Sequence, residues 1–460
     1  MESSKIETLE NIKSIYFIGI GGSGMFPLAS ILHEKGFSVS GSDIYESDTL
    51  EKVRKLGIKV NTEQVKENIS GQDLVVFSAA IKESNPEIIA AKEQNIPIIE
   101  RSVMLGIIFK KYKNSIGVSG THGKTTTTSM ITSILIDAQK SPTAVIGATF
   151  KKIGGNSCVG SSDIIVGEAC EYVDSFLKLY PSISVITNVE ADHLDYFKTF
   201  ENVKKSFHQF ANQTSDYVVV NGDDKDALEC TQNIKAQVVS YGLSENNDYF
   251  AKNITYNKLQ HADFDVFCGN KKLTHISLKV TGKHNVYNSL AALIACEKVG
   301  VNIDLIKSSL ENFTGAHRRF EFLGKINGIT VVDDFAHHPT ELSTTLKSTA
   351  KMGFNTVWAV FQPHTFSRTA MFLDDFVKAL SNADKVIVSD ILPVRETNTY
   401  NIYAQDIVDK MSNAKHIPDF EGISDYVCEK AKDGDLIITL GGGNVYKCAN
   451  MIVEKLKNKS

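Results

Sequence analysis

Short apolar runs recur along this chain, each ending in small or polar residues and followed by a stretch with helical spacing. Ser14 to Gly19 runs into a glycine cluster and then into the helical pattern Met25 to Lys35. Comparable strand candidates follow at Phe37 to Ser40, Asp73 to Ser78 and Ile96 to Ile99. A second series opens at Ser115 to Ser119 and continues through Thr143 to Ile146, Ile164 to Gly167, Ile183 to Thr187 and Tyr217 to Val220. A helix from Asn285 to Val299 closes it. Beyond a linker-like stretch, Asn312 to His317, a third series places strands at Ile329 to Val332, Thr356 to Phe361, Lys385 to Ser389 and Leu436 to Leu440. Strand and helix alternating in this way predict parallel sheets covered on both faces. The expected fold is α/β, with three consecutive α/β domains: a Rossmann-like domain over 1–107, a P-loop-type central domain over 108–314 and a Rossmann-like C-terminal domain over 315–460.

A length of 460 residues agrees with that division. Hydrophobic residues make up 42% and charged residues 22%, with a net charge of -5, which describes a globular chain without the basic face that nucleic acid requires. Anionic ligands must then be held by local sites. Met1 to Lys13 contain no apolar core of a signal sequence, and no apolar run is long enough to span a bilayer, so a cytoplasmic protein without membrane insertion is expected. The seven cysteines form no CxxC pair and point to neither a disulfide framework nor a zinc site.

Gly19-Ile20-Gly21-Gly22-Ser23-Gly24 fits GxGxxG between a strand and a helix, with Asp43 at the end of the next strand. Glycines let a backbone approach a pyrophosphate, and an acid can take ribose hydroxyls. A tight strand-to-helix turn needs the same glycines, and the motif does not say which nucleotide is bound.

Gly120-Thr121-His122-Gly123-Lys124-Thr125 follows a strand and opens a threonine-rich helix. It is a shortened phosphate loop, with Val118 where the full pattern has its first glycine. The two glycines free N–H groups for phosphate, Lys124 reaches the outer phosphates, and the Thr125 hydroxyl suits Mg²⁺. Glu168 and His193 stand just beyond the ends of two further strands, where ligands collect in a parallel sheet, and complete a candidate Mg²⁺ shell. A dinucleotide-dependent oxidoreductase would use the first loop and leave the second unexplained. A regulatory nucleotide-binding protein would use the second without turnover.

Ten stretches in order carry a resemblance: GIGGSGM (19–25), SGSD (40–43), SGTHGKTTTT (119–128), GEACEYVDSFL (167–177), TNVEADHLDYF (187–197), GKHNVYNSLAA (282–292), HRRFEFLG (317–324), VVDDFAHHPTE (331–341), VFQPHTFSRT (360–369) and LGGGNVY (440–446). The chain resembles the Mur ligase family. The resemblance implies ATP-dependent ligation of L-alanine to the lactyl carboxylate of UDP-N-acetylmuramate, through an acyl phosphate and with Mg²⁺. It implies Gly21, Gly22, Ser42, Asp43, Ser78, Arg101 and His122 near the sugar nucleotide. Gly120, Thr121, His122, Gly123, Lys124, Thr125 and Thr126 would hold ATP, with His284, Asn285 and Asn288 on the adenosine side and Arg319 and Asp334 joining them. Thr125, Glu168 and His193 would hold metal, and His337, His364 and Arg368 would place alanine. Lys124, His193, His337 and Arg368 are the catalytic candidates. Phe335, Thr365 and Cys170 depart from residues common in the family's signatures.

Overall fold

The computed structural model describes residues 6–78, 80–394 and 396–459, excluding the side chain of Asp195, so the first five residues of the stretch read for a signal sequence lie outside the description. Three α/β sheets follow one another along the chain.

The first sheet contains β1 (Ser14–Ile18), β2 (Ser38–Ser42), β3 (Lys59–Asn61), β4 (Leu74–Phe77) and β5 (Ile98–Glu100), in the order β3-β2-β1-β4-β5 with parallel pairing throughout. Alternate residues face opposite sides. Ile15, Phe17, Leu74 and Val76 pack with the helix Phe26–Glu34, whereas Tyr16, Ile18, Val75 and Phe77 pack with the helix Pro86–Glu93. Burial on both faces explains why these strands read as continuous apolar runs. The helix Arg101–Phe109 runs across residue 107.

The second sheet holds β6 (Asn114–Ser119), β7 (Thr143–Phe150), β8 (Gly155–Cys158), β9 (Ile164–Glu168), β10 (Ile183–Ile186), β11 (Tyr217–Asn221) and β12 (Gln237–Gly242). It continues through β13 (Tyr249–Tyr256), β14 (His261–Cys268) and β15 (Lys271–Thr281). Its order is β15-β14-β13-β12-β11-β10-β6-β9-β7-β8. The meander β13 to β15 departs from the expected strand and helix alternation, since connections of four and two residues are too short for a parallel crossover.

The third sheet holds β16 (Glu321–Ile326), β17 (Ile329–Asp334), β18 (Val357–Phe361), β19 (Lys385–Val388), β20 (Ala414–His416) and β21 (Leu436–Leu440), ordered β16-β17-β21-β18-β19-β20. Only β16 pairs antiparallel; the other pairs are parallel. Helices cover both faces, with Val332, Ala359, Phe361 and Ile438 in one core and Val331, Trp358, Val360 and Ile437 in the other.

The chain divides into two compact units, one of residues 1–252, 265–274 and 287–310 and the other of 253–264, 275–286 and 311–460, and the division runs through the meander. Among the described residues, no helix is long and apolar enough to cross a membrane.

Candidate active site

The turn after β1 places the first group of candidate residues. Gly19 has φ +81°, and the N–H groups of Gly19 and Ile20 both donate to the Ser42 carbonyl, at 2.8 and 2.9 Å. Asp43 accepts from the Gly21 N–H at 3.0 Å and the Tyr45 N–H at 3.1 Å, so this carboxylate shapes the loop as well as facing it. A Cβ on Gly24 would lie 3.2 Å from Cδ of Arg101, and one on Gly19 would lie 3.9 Å from Oγ of Ser78. Gly21, Gly22, Asp43, Ser78 and Arg101 are thus gathered around one turn. The Ser42 side chain is fully buried and donates to Glu87 at 2.6 Å, alongside Tyr16 at 2.8 Å, so Ser42 meets the loop through its backbone carbonyl.

The second glycine loop sits between three strand ends. In the order β10-β6-β9, the loop leaves the middle strand, Glu168 ends one neighbour, and the segment carrying His193 follows the other. Gly120 and Gly123 have φ of +136° and +87°, a region that favours glycine, and Gly123 directly precedes the helix Lys124–Asp137. The loop is stitched to the segment after β10. Thr121 and His122 N–H groups donate to the Asn188 carbonyl at 3.0 Å and its Oδ1 at 2.8 Å, and Glu190 N–H donates to the Thr121 hydroxyl at 2.9 Å. His122 Nε2 lies 3.4 Å from Glu190. Thr125 and Thr126 are buried on the first turn of the helix. Asn288 comes to the same loop, its Oδ1 accepting from Thr127 at 3.2 Å and lying 2.7 Å from where a Cβ on Gly123 would stand.

Lys124 folds back over the loop. Its ammonium donates to the Gly120 carbonyl, to the Thr121 carbonyl at 3.2 Å and to Glu171 at 2.9 Å. Burial works against the charge, but Glu171, Cys170 and Glu168 hold its pKa above the ordinary lysine value. Glu171 is almost fully buried and also lies 3.9 Å from His193 Nε2, so one carboxylate links both catalytic candidates. Glu171 stands in the GEACEYVDSFL stretch without a role of its own there, three residues after Glu168. Glu168 accepts from the Gly147 N–H at 2.5 Å. The Tyr172 ring lies 4.7 Å from that of His193, tilted by 42°, and Asp192 lies 3.7 Å from His193 Nε2. Carboxylate oxygens, a hydroxyl and an imidazole beside a phosphate-type loop fit a divalent cation.

The second unit gathers its own group at the adjacent ends of β17, β21 and β18. Asp334 accepts from Ala336 N–H at 2.7 Å and Phe320 N–H at 2.9 Å, and burial pushes its pKa up to about 6 against the opposing charge of Arg319. The Arg318 and Arg319 guanidinium groups each lie 5.0 Å from the Phe335 ring, a contact the ring makes without the tyrosine hydroxyl common in the family's signature. His337 Nδ1 donates to the Phe335 carbonyl at 3.0 Å, leaving its lone pair on Nε2. Burial is the main cause that lowers its pKa to about 4, so the ring is neutral at pH 7 and a weaker base than its ordinary value implies. The His364 ring is 5.9 Å away, and Arg368 donates to the His364 carbonyl at 3.2 Å. Burial, and then Arg368, lower the pKa of His364 as well.

His284 begins the helix His284–Lys298 in an exposed position, and Asn285 donates to the Thr281 carbonyl at 2.8 Å. Arg318, in the HRRFEFLG stretch, is a further residue of this group that its position in the sequence alone does not reveal. It is buried and donates to Asp333 at 2.8 Å and to the carbonyls of Gly443 and Gly441 at 2.6 and 2.7 Å, fixing the glycine loop after β21.

Three family models match: the catalytic domain of the Mur ligase family over 14–113, the Mur ligase middle domain over 118–296 and the Mur ligase glutamate ligase domain over 318–443. The UDP-N-acetylmuramate--L-alanine ligase of Acetivibrio thermocellus is 46% identical, covering 99% of this chain and 98% of the relative. That of Caldanaerobacter subterraneus subsp. tengcongensis is 44% identical, covering 98% and 99%. The crystal structure of UDP-N-acetylmuramate-alanine ligase from Thermotoga maritima superposes with a TM-score of 0.82 at 27% identity, covering 97% of this chain and all of that one. A murein peptide ligase from Psychrobacter arcticus shares the fold, with a TM-score of 0.73 at 23% identity. With three domain models matched in order and relatives this similar along its whole length, the chain belongs to the Mur ligase family.

Proposed function

We propose that this protein joins L-alanine to the lactyl carboxylate of UDP-N-acetylmuramate, with hydrolysis of ATP to ADP and phosphate, in peptidoglycan precursor synthesis. The observation that carries the reading is the loop of Gly120 to Thr125 between β9 and β10, with Lys124 paired to Glu171, whose carboxylate also neighbours His193. Full-length similarity to ligases named for L-alanine favours that substrate over the peptides taken by other family members. In this reading residues 1–107 take the sugar nucleotide, 108–314 take ATP, and 315–460 supply the amino-acid site.

A free carboxylate does not acylate an amine in water. Its oxygen first attacks the γ-phosphate of ATP, and the Lys124 charge offsets the charge on the transferred group. The acyl phosphate and ADP result. Thr125, Glu168 and His193 are the residues that would hold Mg²⁺, which supplies positive charge at the phosphates. Attack by the neutral amine of alanine on the acyl carbon expels phosphate and leaves a proton to be removed. His337 Nε2 is the acceptor we assign, in a ring kept neutral by burial, and Arg368 beside His364 offers a cation for the alanine carboxylate.

The test is a panel: the purified chain with ATP, Mg²⁺, UDP-N-acetylmuramate and single amino acids or tripeptides, with products weighed by mass spectrometry. Alanine should give the main adduct, and exclusive addition of a peptide would refute the assignment. Tight NAD(P) binding to the first glycine loop, without ATP turnover, would favour an oxidoreductase instead.

A further inference from the structure

Two turns beside the second glycine loop are held in backbone conformations that side chains disfavour. Val173 and Asp174 have φ of +50° and +56°, and His193 and Lys198 have φ of +55° and +67°. For a β-branched residue such as Val173 this is a steric outlier, and such conformations persist only where the surroundings fix them. The first turn follows Glu171, which pairs with Lys124, and the second begins at His193.

One carboxylate ties the turns together. Asp174 accepts from the Tyr196 phenol at 2.6 Å and from the Ser206 hydroxyl on the helix Phe200–Asn212. Tyr196 in turn donates its N–H to the His193 carbonyl at 3.0 Å. The Tyr172 ring is 4.7 Å from that of His193 and 6.4 Å from that of Tyr196. Asp174 and Tyr196 also line a cavity of about 480 Å³ with Val103, Ile107, Leu177 and Tyr180. Beside that cavity the bond from the Tyr196 phenol to Asp174 joins the two turns directly. Asp174 and Tyr196 lie within the GEACEYVDSFL and TNVEADHLDYF stretches, which give neither of them a role.

We infer that Asp174 is a positioning residue: through Tyr196 it fixes the turn of His193 against the turn of Glu171, and so sets the geometry in which His193 meets a divalent cation. The inference rests on the reading of Glu168 and His193 as cation ligands. Neither Asp174 nor Tyr196 touches the cation. Each acts by orienting a group that does, and the loss of such outer partners weakens metal sites by about 10- to 100-fold.

The experiment titrates Mn²⁺ into the full-length protein, reading free Mn²⁺ by electron paramagnetic resonance, for the wild type, Tyr196→Phe, Asp174→Asn and the double variant. Thermal unfolding is recorded on the same samples. Each single variant should bind Mn²⁺ about tenfold more weakly. The double variant should be no weaker than the weaker-binding single variant, because the bond from Tyr196 is common to both changes and only Asp174→Asn also touches the bond from Ser206. Tyr196→Phe removes a single oxygen, which keeps the comparison within folded protein. Variants that melt earlier yet bind Mn²⁺ like the wild type would overturn the inference and leave the bond a purely structural one. Additive losses would equally refute a shared bond. A wild type that binds no Mn²⁺ would overturn the cation reading together with this inference.

Discussion

Replacing Gly123 and Gly120 by alanine, one at a time, separates two ways in which the second glycine loop depends on having no side chain. At Gly123, with φ +87°, a left-handed backbone costs an alanine about 1–2 kcal/mol. The new Cβ would stand 2.7 Å from Asn288 Oδ1. That amide must turn away and give up its 3.2 Å bond to Thr127, adding about 1 kcal/mol. The sum, about 2–3 kcal/mol, lowers the melting temperature by about 4–12 °C for a domain of this size. If the strain is relieved by opening the loop, ADP affinity falls by about 30- to 150-fold. At Gly120 the obstruction is harder. A Cβ would meet the Thr187 oxygen at 2.0 Å and the Asn188 backbone nitrogen at 3.1 Å, and that oxygen is itself bonded to the His122 carbonyl at 2.5 Å. Gly120→Ala should therefore lose more affinity than Gly123→Ala. The assay is calorimetric titration of each variant with ADP and Mg²⁺, paired with thermal unfolding. Wild-type ADP affinity in both variants would refute a phosphate-holding role for this loop.

Three further outcomes are expected. Lys124→Ala should lower kcat by at least about a hundredfold in a phosphate-release assay, since it removes the charge aimed at the transferred group. Arg318→Ala should destabilise the second unit by about 3–5 kcal/mol, seen as a lower denaturation midpoint, because Asp333 is left buried without its cation. His337 binds its proton at about pH 4 in the folded chain instead of near 6.5, so the stability it lends is complete above pH 6.5 and is lost as the pH falls toward 4, by up to about 3 kcal/mol. His337→Gln should flatten that acid loss in urea titrations at pH 7.5 and 5. Asp334, whose pKa is raised to about 6, has the opposite slope and should remain in the variant, its contribution declining as the pH rises from 3.8 to 6.

Most strands were legible because burial on both faces leaves a continuous apolar signature, as in Leu74–Phe77 and Leu436–Leu440. The meander from Tyr249 to Thr281 was not. Its strands alternate polar and apolar residues, as in His261–Cys268, and carry long polar stretches at their edges. The glycine loops were readable from spacing, since phosphate-type turns need glycine at fixed places. What spacing could not show was direction. Ser42 stands one residue before Asp43, yet its hydroxyl turns inward to Glu87 while Asp43 reaches the loop. Glu171 and Arg318 became visible only through partners distant in sequence, Lys124 in one case and Gly441 and Gly443 in the other. His337 shows the same limit for chemistry, because its ordinary pKa gave no notice of what burial does to it.

In the proposed reaction an acid oxygen captures the terminal phosphoryl group of ATP before the amide forms. UDP-N-acetylmuramate labelled with ¹⁸O in its lactyl carboxylate, incubated with ATP, Mg²⁺, L-alanine and this protein, tests it directly by mass spectrometry of the released phosphate. One ¹⁸O per phosphate, with ADP as the coproduct, is the result expected. Unlabelled phosphate beside labelled amide, or AMP in place of ADP, would contradict it.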